Sequence, residues 1–178
     1  FVIVGSDWEV GYSGEQDLFM IKVDSQGNEE WKTRIGNSNL SAMSESGESI
    51  ILTNDGNLLT VGNNIIVKTD LFGNIIWSKF SEGTNNQFFW RDAKETNDGH
   101  YIISGYSPLQ GRILLKIDYQ GNIIWQKELQ QASGINQTTS VIVVNDGYVA
   151  LVIDQGNQSY RLNKVDLNGE ELWTNEFT

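Results

Sequence analysis

The feature that most constrains this chain is a frame of five residues, Lys-x-Asp-x-x-Gly-[Asn/Glu]-x-x-Trp, that occurs four times with identical internal spacing. The copies are Lys22, Asp24, Gly27, Asn28, Trp31; Lys68, Asp70, Gly73, Asn74, Trp77; Lys116, Asp118, Gly121, Asn122, Trp125; and Lys164, Asp166, Gly169, Glu170, Trp173. The Trp-to-Trp intervals are 46, 48 and 48 residues. Self-similarity at such a period marks one supersecondary unit repeated in tandem, because a unit that short buries its apolar face only by stacking on its neighbours.

A second frame lies between these copies: Asn54-Asp55-Gly56, Asn97-Asp98-Gly99 and Asn145-Asp146-Gly147, each followed by an apolar run. Leu58 to Gly62 matches Tyr101 to Gly105, and Phe1 to Gly5 matches both; the fourth copy has Ile153 where the Gly is expected. Asp-Gly between apolar runs predicts a two-residue hairpin whose two central residues need positive φ. Asp-x-x-Gly predicts a type I turn with Asp capping it and Gly supplying a left-handed bulge residue. The runs Ser49–Thr53, Ile65–Thr69, Ile113–Ile117 and Ser140–Val144 are strand-like and rich in β-branched residues. No segment sustains a helical period, so the chain is expected to be largely strand with almost no helix, and Pro108 falls in a loop.

One unit therefore holds four short strands. Strand A ends at Asn-Asp-Gly, strand B is the apolar run after it, strand C carries Lys-x-Asp and strand D carries the Trp. A four-stranded meander of this length in tandem reads as an all-β fold, a β-propeller of four consecutive four-stranded blades, at about 1–36, 37–83, 84–130 and 131–178. A β-sandwich or solenoid would not require the same residues at this period. The first blade lacks its A strand. The chain is accordingly expected to be part of a larger propeller, to close imperfectly, or to be completed by a neighbouring molecule, and to leave the edge of Phe1–Val4 open. Beginning at Phe1 with no targeting motif, it reads as a piece of something longer.

The Asp-x-x-Gly-x-x-x-Trp hairpin resembles the tryptophan-docking motif of quinoprotein-like (PQQ-type) propellers, in which the interval between Asp and Gly is about one residue longer. The longer pattern resembles repeats of large secreted or surface proteins of bacteria and archaea. The resemblance covers nearly the whole chain and implies fold rather than activity. It implies that Trp31, Trp77, Trp125 and Trp173 pack between neighbouring blades. Each is expected to be mostly buried, with Trp125→Ala costing roughly 3–5 kcal/mol. A quinoprotein dehydrogenase is not expected: its adjacent-Cys element has no counterpart in a chain without Cys, and four blades are too few for its usual pocket.

Composition narrows the rest. A net charge of −11 argues against nucleic acid and anionic membrane as partners. No apolar run approaches the roughly 20 residues that span a bilayer, so no membrane insertion is expected. Absent Cys excludes thiolate metal sites and Cys nucleophiles, and fits an extracellular or cell-surface protein. The expectation for cofactors is none, with calcium kept as a side hypothesis because Asn and Asp abound, although no Asp-x-[Asp/Asn]-x-[Asp/Asn]-Gly loop occurs. Lys-x-Asp puts both side chains on one strand face, which reads as a local ion pair plus a turn-capping Asp. The lone His100 follows a turn and reads as an exposed turn residue. Aromatics outside the frames, Trp8, Tyr12, Phe88, Phe89 and Trp90, are a candidate contact patch, or else fill blade interfaces. No catalytic, cofactor or metal residue stands out. The expected role is a non-catalytic structural or binding propeller that takes a protein partner or copies of itself; a carbohydrate-binding (lectin-like) propeller with a glycan ligand is the alternative, and a propeller enzyme the least favoured.

Overall fold

The computed structural model describes residues 1–8, 16–36, 44–81, 87–129, 136–154 and 159–178, with the side chains of Trp8, 136–139 and Asp154 left aside. Fifteen strands account for more than half of the chain, and no helix occurs among the described residues. They are β1(Val2–Trp8), β2(Gln16–Val23), β3(Glu29–Ile35), β4(Ser49–Leu52), β5(Leu58–Gly62), β6(Ile65–Thr69), β7(Ile75–Phe80), β8(Phe89–Glu95), β9(Tyr101–Ser107), β10(Gly111–Ile117), β11(Ile123–Glu128), β12(Asn136–Val144), β13(Gly147–Asp154), β14(Ser159–Val165) and β15(Glu171–Phe177). They form one three-stranded sheet, β1–β3, and three four-stranded meanders, β4–β7, β8–β11 and β12–β15. These are the blades of a β-propeller, the first without its A strand. The chain forms two compact units, residues 1–90 and 91–178.

The invariant spacing of the Lys-to-Trp frame has a register cause. In every blade the Lys stands directly across strands C and D from the Trp: Lys22↔Trp31, Lys68↔Trp77, Lys116↔Trp125 and Lys164↔Trp173. The register shifts just after each of these Lys residues, so the same bulge recurs in all four blades. The hairpin closes through Asp24 N to Asn28 O and Gly27 N to Asp24 O, and likewise at Asp70, Asp118 and Asp166. Gly27, Gly73, Gly121 and Gly169 take φ of 81–87°.

The A–B hairpins differ from the two-residue type expected. Gly56 and Gly99 have φ of 78° and 76°, but Asp55 and Asp98 do not share it, since the only described non-Gly residue with positive φ is Asn64. Thr53 N bonds Asn57 O and Gly56 N bonds Thr53 O, with the same pattern at Thr96 and His100. These are three-residue loops, a type I turn followed by a left-handed Gly. Asp in the right-handed region avoids the steric cost that positive φ imposes on a residue with a Cβ. Blade four has a two-residue loop, with Val144 paired to Gly147, but its central residues are Asn145 and Asp146 and neither takes positive φ.

Each unit buries its own core between its two sheets. In residues 1–90 it is Leu18, Met20, Ile35, Leu58, Ile65 and Val67, with Val2, Val4, Ile50 and Phe80 against it. In residues 91–178 it is Ile102, Leu114, Leu129, Val141, Tyr148, Ala150, Val152 and Val165. Asp92 of β8 is buried and accepts from Ser140 Oγ at 2.7 Å and Val141 N at 3.1 Å, tying the A strands of blades three and four together. The outer edge of β1 is less bare than expected, because Gly47 N donates to Gly5 O at 2.9 Å where an A strand would lie. That contact requires a close approach: a Cβ at Gly47 would lie 2.7 Å from Val4 Cβ.

Candidate interaction surfaces of the blades

The repeat Lys does not pair with the Asp two residues on. The carboxylate of that Asp is already filled: Asp70 Oδ1 accepts from Phe72 N at 2.8 Å and Asn74 N at 2.9 Å, and Oδ2 from Asn74 Nδ2 at 2.8 Å. The same set recurs at Asp24 and Asp118. The Asn side chains, then the backbone N–H groups, hold Asp24, Asp70 and Asp118 below the ordinary carboxylate range. The Lys instead reaches back to the A–B hairpin. Lys68 Nζ lies 2.6 Å from Asp55 Oδ2, Lys116 Nζ 2.8 Å from Asp98 Oδ2, and Lys164 Nζ 2.7 Å from Asp146 Oδ2. Blade one has no A–B hairpin, and there Lys22 turns to Glu30 at 2.8 Å. The two sequence frames are thus joined by one ion pair per complete blade.

These pairs are partly enclosed. The side chains of Lys68 and Lys116 are 3% and 6% exposed, while their Asp partners stay about half exposed. Burial alone would raise the pKa of Asp55 and Asp98, but the Lys ammonium and the Thr53 or Thr96 hydroxyl more than offset it and hold both carboxyls far below the usual range. A folded-state pKa depressed in this way contributes stability that is present above the unfolded value of about 4 and is lost as pH falls towards the folded value. Asp98→Asn should therefore cost about 1–2 kcal/mol at neutral pH, because it strands a buried ammonium, with solvent around the half-exposed Asp limiting the loss. The difference from the unmodified chain should narrow progressively below about pH 4. Chemical denaturation at a series of pH values checks both statements; a constant difference down to strongly acidic pH would contradict them. His100 is half-buried rather than exposed, with Nδ1 3.3 Å from Asp98 Oδ2.

The repeat Trp residues are less buried than their recurrence implies. Trp31 and Trp125 are half-buried, each laying one face on the C–D turn of the next blade. Trp31 Nε1 donates to Leu71 O at 2.9 Å, and Trp125 Nε1 to Leu167 O at 3.1 Å. The ring covers the turn Gly so closely that a Cβ at Gly73 or Gly169 would lie 3.1 Å from it. A turn shields only one side of a ring, which is why burial stops halfway. Trp173 is 38% exposed, and no acceptor for its Nε1 occurs among the described residues. Trp125→Ala should then cost about 2–3 kcal/mol, below the range for a fully buried aromatic, and Trp173→Ala well under about 1 kcal/mol. Urea denaturation of the two variants side by side measures the contrast.

The aromatics outside the frames are placed as follows. Phe88 and Trp90 stack at 5.0 Å between centroids and 2° between planes, with Phe88 and Phe89 half-buried and Trp90 buried. Asn64 anchors this segment, donating its N–H to Phe88 O at 2.7 Å and accepting from Phe88 N at 3.2 Å. Trp8 lies at the end of β1, its side chain outside the described residues, as is Tyr12 altogether. Sequence reasoning missed Asn64; its positive φ of 59° belongs to the tight Asn63-Asn64 connection, and Asn-Asn between apolar runs was the available signal.

Exposed apolar side chains recur at the C–D turns and the D strands that follow them. In blade two Leu71, Phe72, Ile75 and Ile76 are exposed, Phe72 at 75%. Tyr119, Ile123 and Ile124 follow in blade three, and Leu167 and Leu172 in blade four. Blade one carries Ser25, Gln26, Glu29 and Glu30 at these positions. An open cleft of about 570 Å³ is lined by Asp7, Phe19, Lys32, Thr33 and Arg34. Its charges are spent locally, Arg34 on Asp7 and Lys32 on Glu29. Among the described residues no three His, Asp or Glu side chains gather as metal ligands.

Comparison with known proteins agrees with this architecture. A crystal structure of a protein of unknown function from Bacteroides caccae superposes with a TM-score of 0.65 at 12% identity, covering 99% of this chain and 58% of that one. The chain thus spans little more than half the length of that neighbour, and the likeness is one of fold. No curated protein matches the chain in sequence. The family model described as outer membrane protein assembly factor BamB matches residues 4–178. With its four propeller blades and docking tryptophans, the chain belongs to this PQQ_2 family of PQQ-like repeat proteins.

Proposed function

We propose that this chain is a non-catalytic propeller module, extracellular or at the cell surface, that mediates protein interaction or self-assembly. The observation that carries the proposal is the set of exposed apolar side chains on the C–D turn and D strand of blade two, Phe72, Ile75 and Ile76 above all. Singly exposed apolar residues are ordinary, but several in one turn and the strand leaving it mark an interaction surface, and the same positions are apolar and exposed again in blades three and four. The chemistry of the repeat supports the same reading, because its Lys, Asp and Trp residues serve pairings within and between blades. The name of the matching family, an assembly factor, is consistent with such a role.

The test is Phe72→Ser combined with Ile76→Ser. Both sites are exposed, so the melting temperature should change by no more than about 2 °C. Self-association measured by light scattering should weaken at least about tenfold. Unchanged association would remove this surface from the proposal, and glycan-array binding unaffected by the two substitutions would favour the carbohydrate reading.

A further inference from the structure

Strand D ends the order of every sheet, so β3, β7, β11 and β15 each turn one backbone edge away from their own blade. The alternation of hydrogen bonds in an antiparallel pair decides which groups lie on that edge. Ser81 N donates to Asn64 O at 2.9 Å, which makes those two opposed residues a bonded pair. Along the same register Ile66 with Lys79 and Lys68 with Trp77 are then bonded pairs, and Ile65 with Phe80 and Val67 with Ser78 are not. The N–H and C=O groups of Ser78 and Phe80 therefore point outward from β7, and among the described residues no backbone group pairs with them. Edges of this kind are commonly guarded by charge. β3 carries Glu29 and Glu30, β11 carries Glu128, and β15 carries Glu171 and Glu176. β7 holds no acid in a chain of net charge −11, and its Ile75 and Ile76 are exposed.

We infer that β7 of one copy pairs antiparallel with β7 of a second copy, edge to edge about a two-fold axis at Ser78. The occupant follows from the strand's own sequence. A two-fold pair sets each residue against the one equally far from the axis. An axis between two residues would oppose an outward residue to an inward one, so the axis falls on a residue. At Ser78 the register bonds Ser78 to its own copy, sets Trp77 against Lys79 and brings Ile76 to Phe80. No like charges then face one another, and an apolar pair closes each end. An axis at Lys79 would oppose two ammonium groups, and one at Trp77 would leave Phe80 against Asn74 of the turn. The acidity of the chain favours the same strand. Two copies repel through their net charge of −11, and β7 is the outer strand that brings no carboxylate to the contact. The inference rests on the proposed role in self-assembly and names its partner and register.

The experiment uses the chain with two variants, Ser78→Glu and Ser78→Lys. Because Ser78 faces itself in this register, each variant alone opposes like charges, and a mixture of the two opposes unlike ones. Sedimentation velocity up to about 100 µM reads association in the micromolar range. The unmodified chain is expected to pass from the 20.0 kDa monomer to a dimer and no further, since a two-fold contact closes. Each variant alone should weaken the dimer about tenfold or more, and an equimolar mixture should restore a dimer holding one copy of each. Circular dichroism melting verifies that both variants keep the fold. Amide hydrogen exchange gives a second readout on the unmodified chain: the N–H groups of Ser78 and Phe80 should exchange more slowly as its concentration rises. A monomer at every concentration, growth past the dimer, or loss in both variants without recovery in the mixture overturns the inference. Association that tolerates both Ser78 variants but is lost with Phe72→Ser and Ile76→Ser also overturns it, while leaving the proposed role standing.

Discussion

Tyr148→Ala is expected to lower stability by about 3–5 kcal/mol, the range for truncating a fully buried aromatic, and to drop the melting temperature by on the order of 10 °C. Tyr148 is the second residue of strand B of blade four and has no exposed surface. Its ring lies 5.9 Å from that of Trp125 at 52°, and 5.6 Å below the ammonium of Lys116. It therefore joins three features of residues 91–178: the aliphatic core, the docking Trp of blade three and the Lys that holds the A–B hairpin. Removing it leaves a cavity among Ile102, Leu114 and Val165, takes the tilted partner from Trp125 and uncovers a charge that burial already disfavours. Tyr160→Ala offers the comparison, since Tyr160 is largely exposed and should lose less than about 1 kcal/mol. Denaturant titration followed by circular dichroism reads both, and equal losses would show that the buried cluster around Tyr148 does not carry the stability assigned to it.

The second large effect is expected at Gly62, where Ala should cost about 3 kcal/mol or prevent residues 1–90 from folding. A Cβ there would lie 1.6 Å from the carbonyl oxygen of Ser46, which crosses the end of strand B in blade two. Neither partner has room to give, because both the obstructing oxygen and the next atom, the Ser46 carbonyl carbon at 2.6 Å, are backbone. Overpacking of this severity exceeds the usual 1–3 kcal/mol of an added methylene, because the backbone itself must move. Gly5 is the matching residue of blade one, and a Cβ there meets nothing within 4 Å. Gly5→Ala should be tolerated within about 1 kcal/mol. Two residues equivalent in the repeat thus differ widely in tolerance, and thermal melts of the two variants test that directly.

The contrast shows where local information ends. The C–D hairpin was readable from the chain alone. Asp24, Gly27 and their counterparts act on their own backbone within five residues, and Lys across from Trp follows from the length of the turn. Such features depend on sterics and hydrogen bonds between neighbours in sequence, and those recur wherever the sequence recurs. Strand pattern, blade order and the shortfall of the first blade follow from the same period. The A–B turn type was misassigned because Asn-Asp-Gly admits both a two-residue and a three-residue hairpin, and the register of the flanking strands selects between them.

Only the tertiary structure decided the partners that lie a strand or a blade away. Lys116 chooses Asp98 over Asp118 because the turn amides have already filled Asp118, a competition invisible in Lys-x-Asp itself. Trp125 and Trp173 occupy the same place in the repeat, yet one rests on a neighbouring turn and the other stays exposed. Gly62 needs its missing Cβ because a segment from before its own sheet passes over it, and Gly5 does not. Period and turn chemistry are properties of a few adjacent residues, so the sequence by itself determined the blade. Burial, charge pairing and steric exclusion depend on what the rest of the chain brings alongside, so the blade's surfaces, and with them the candidate contacts, were decided by packing.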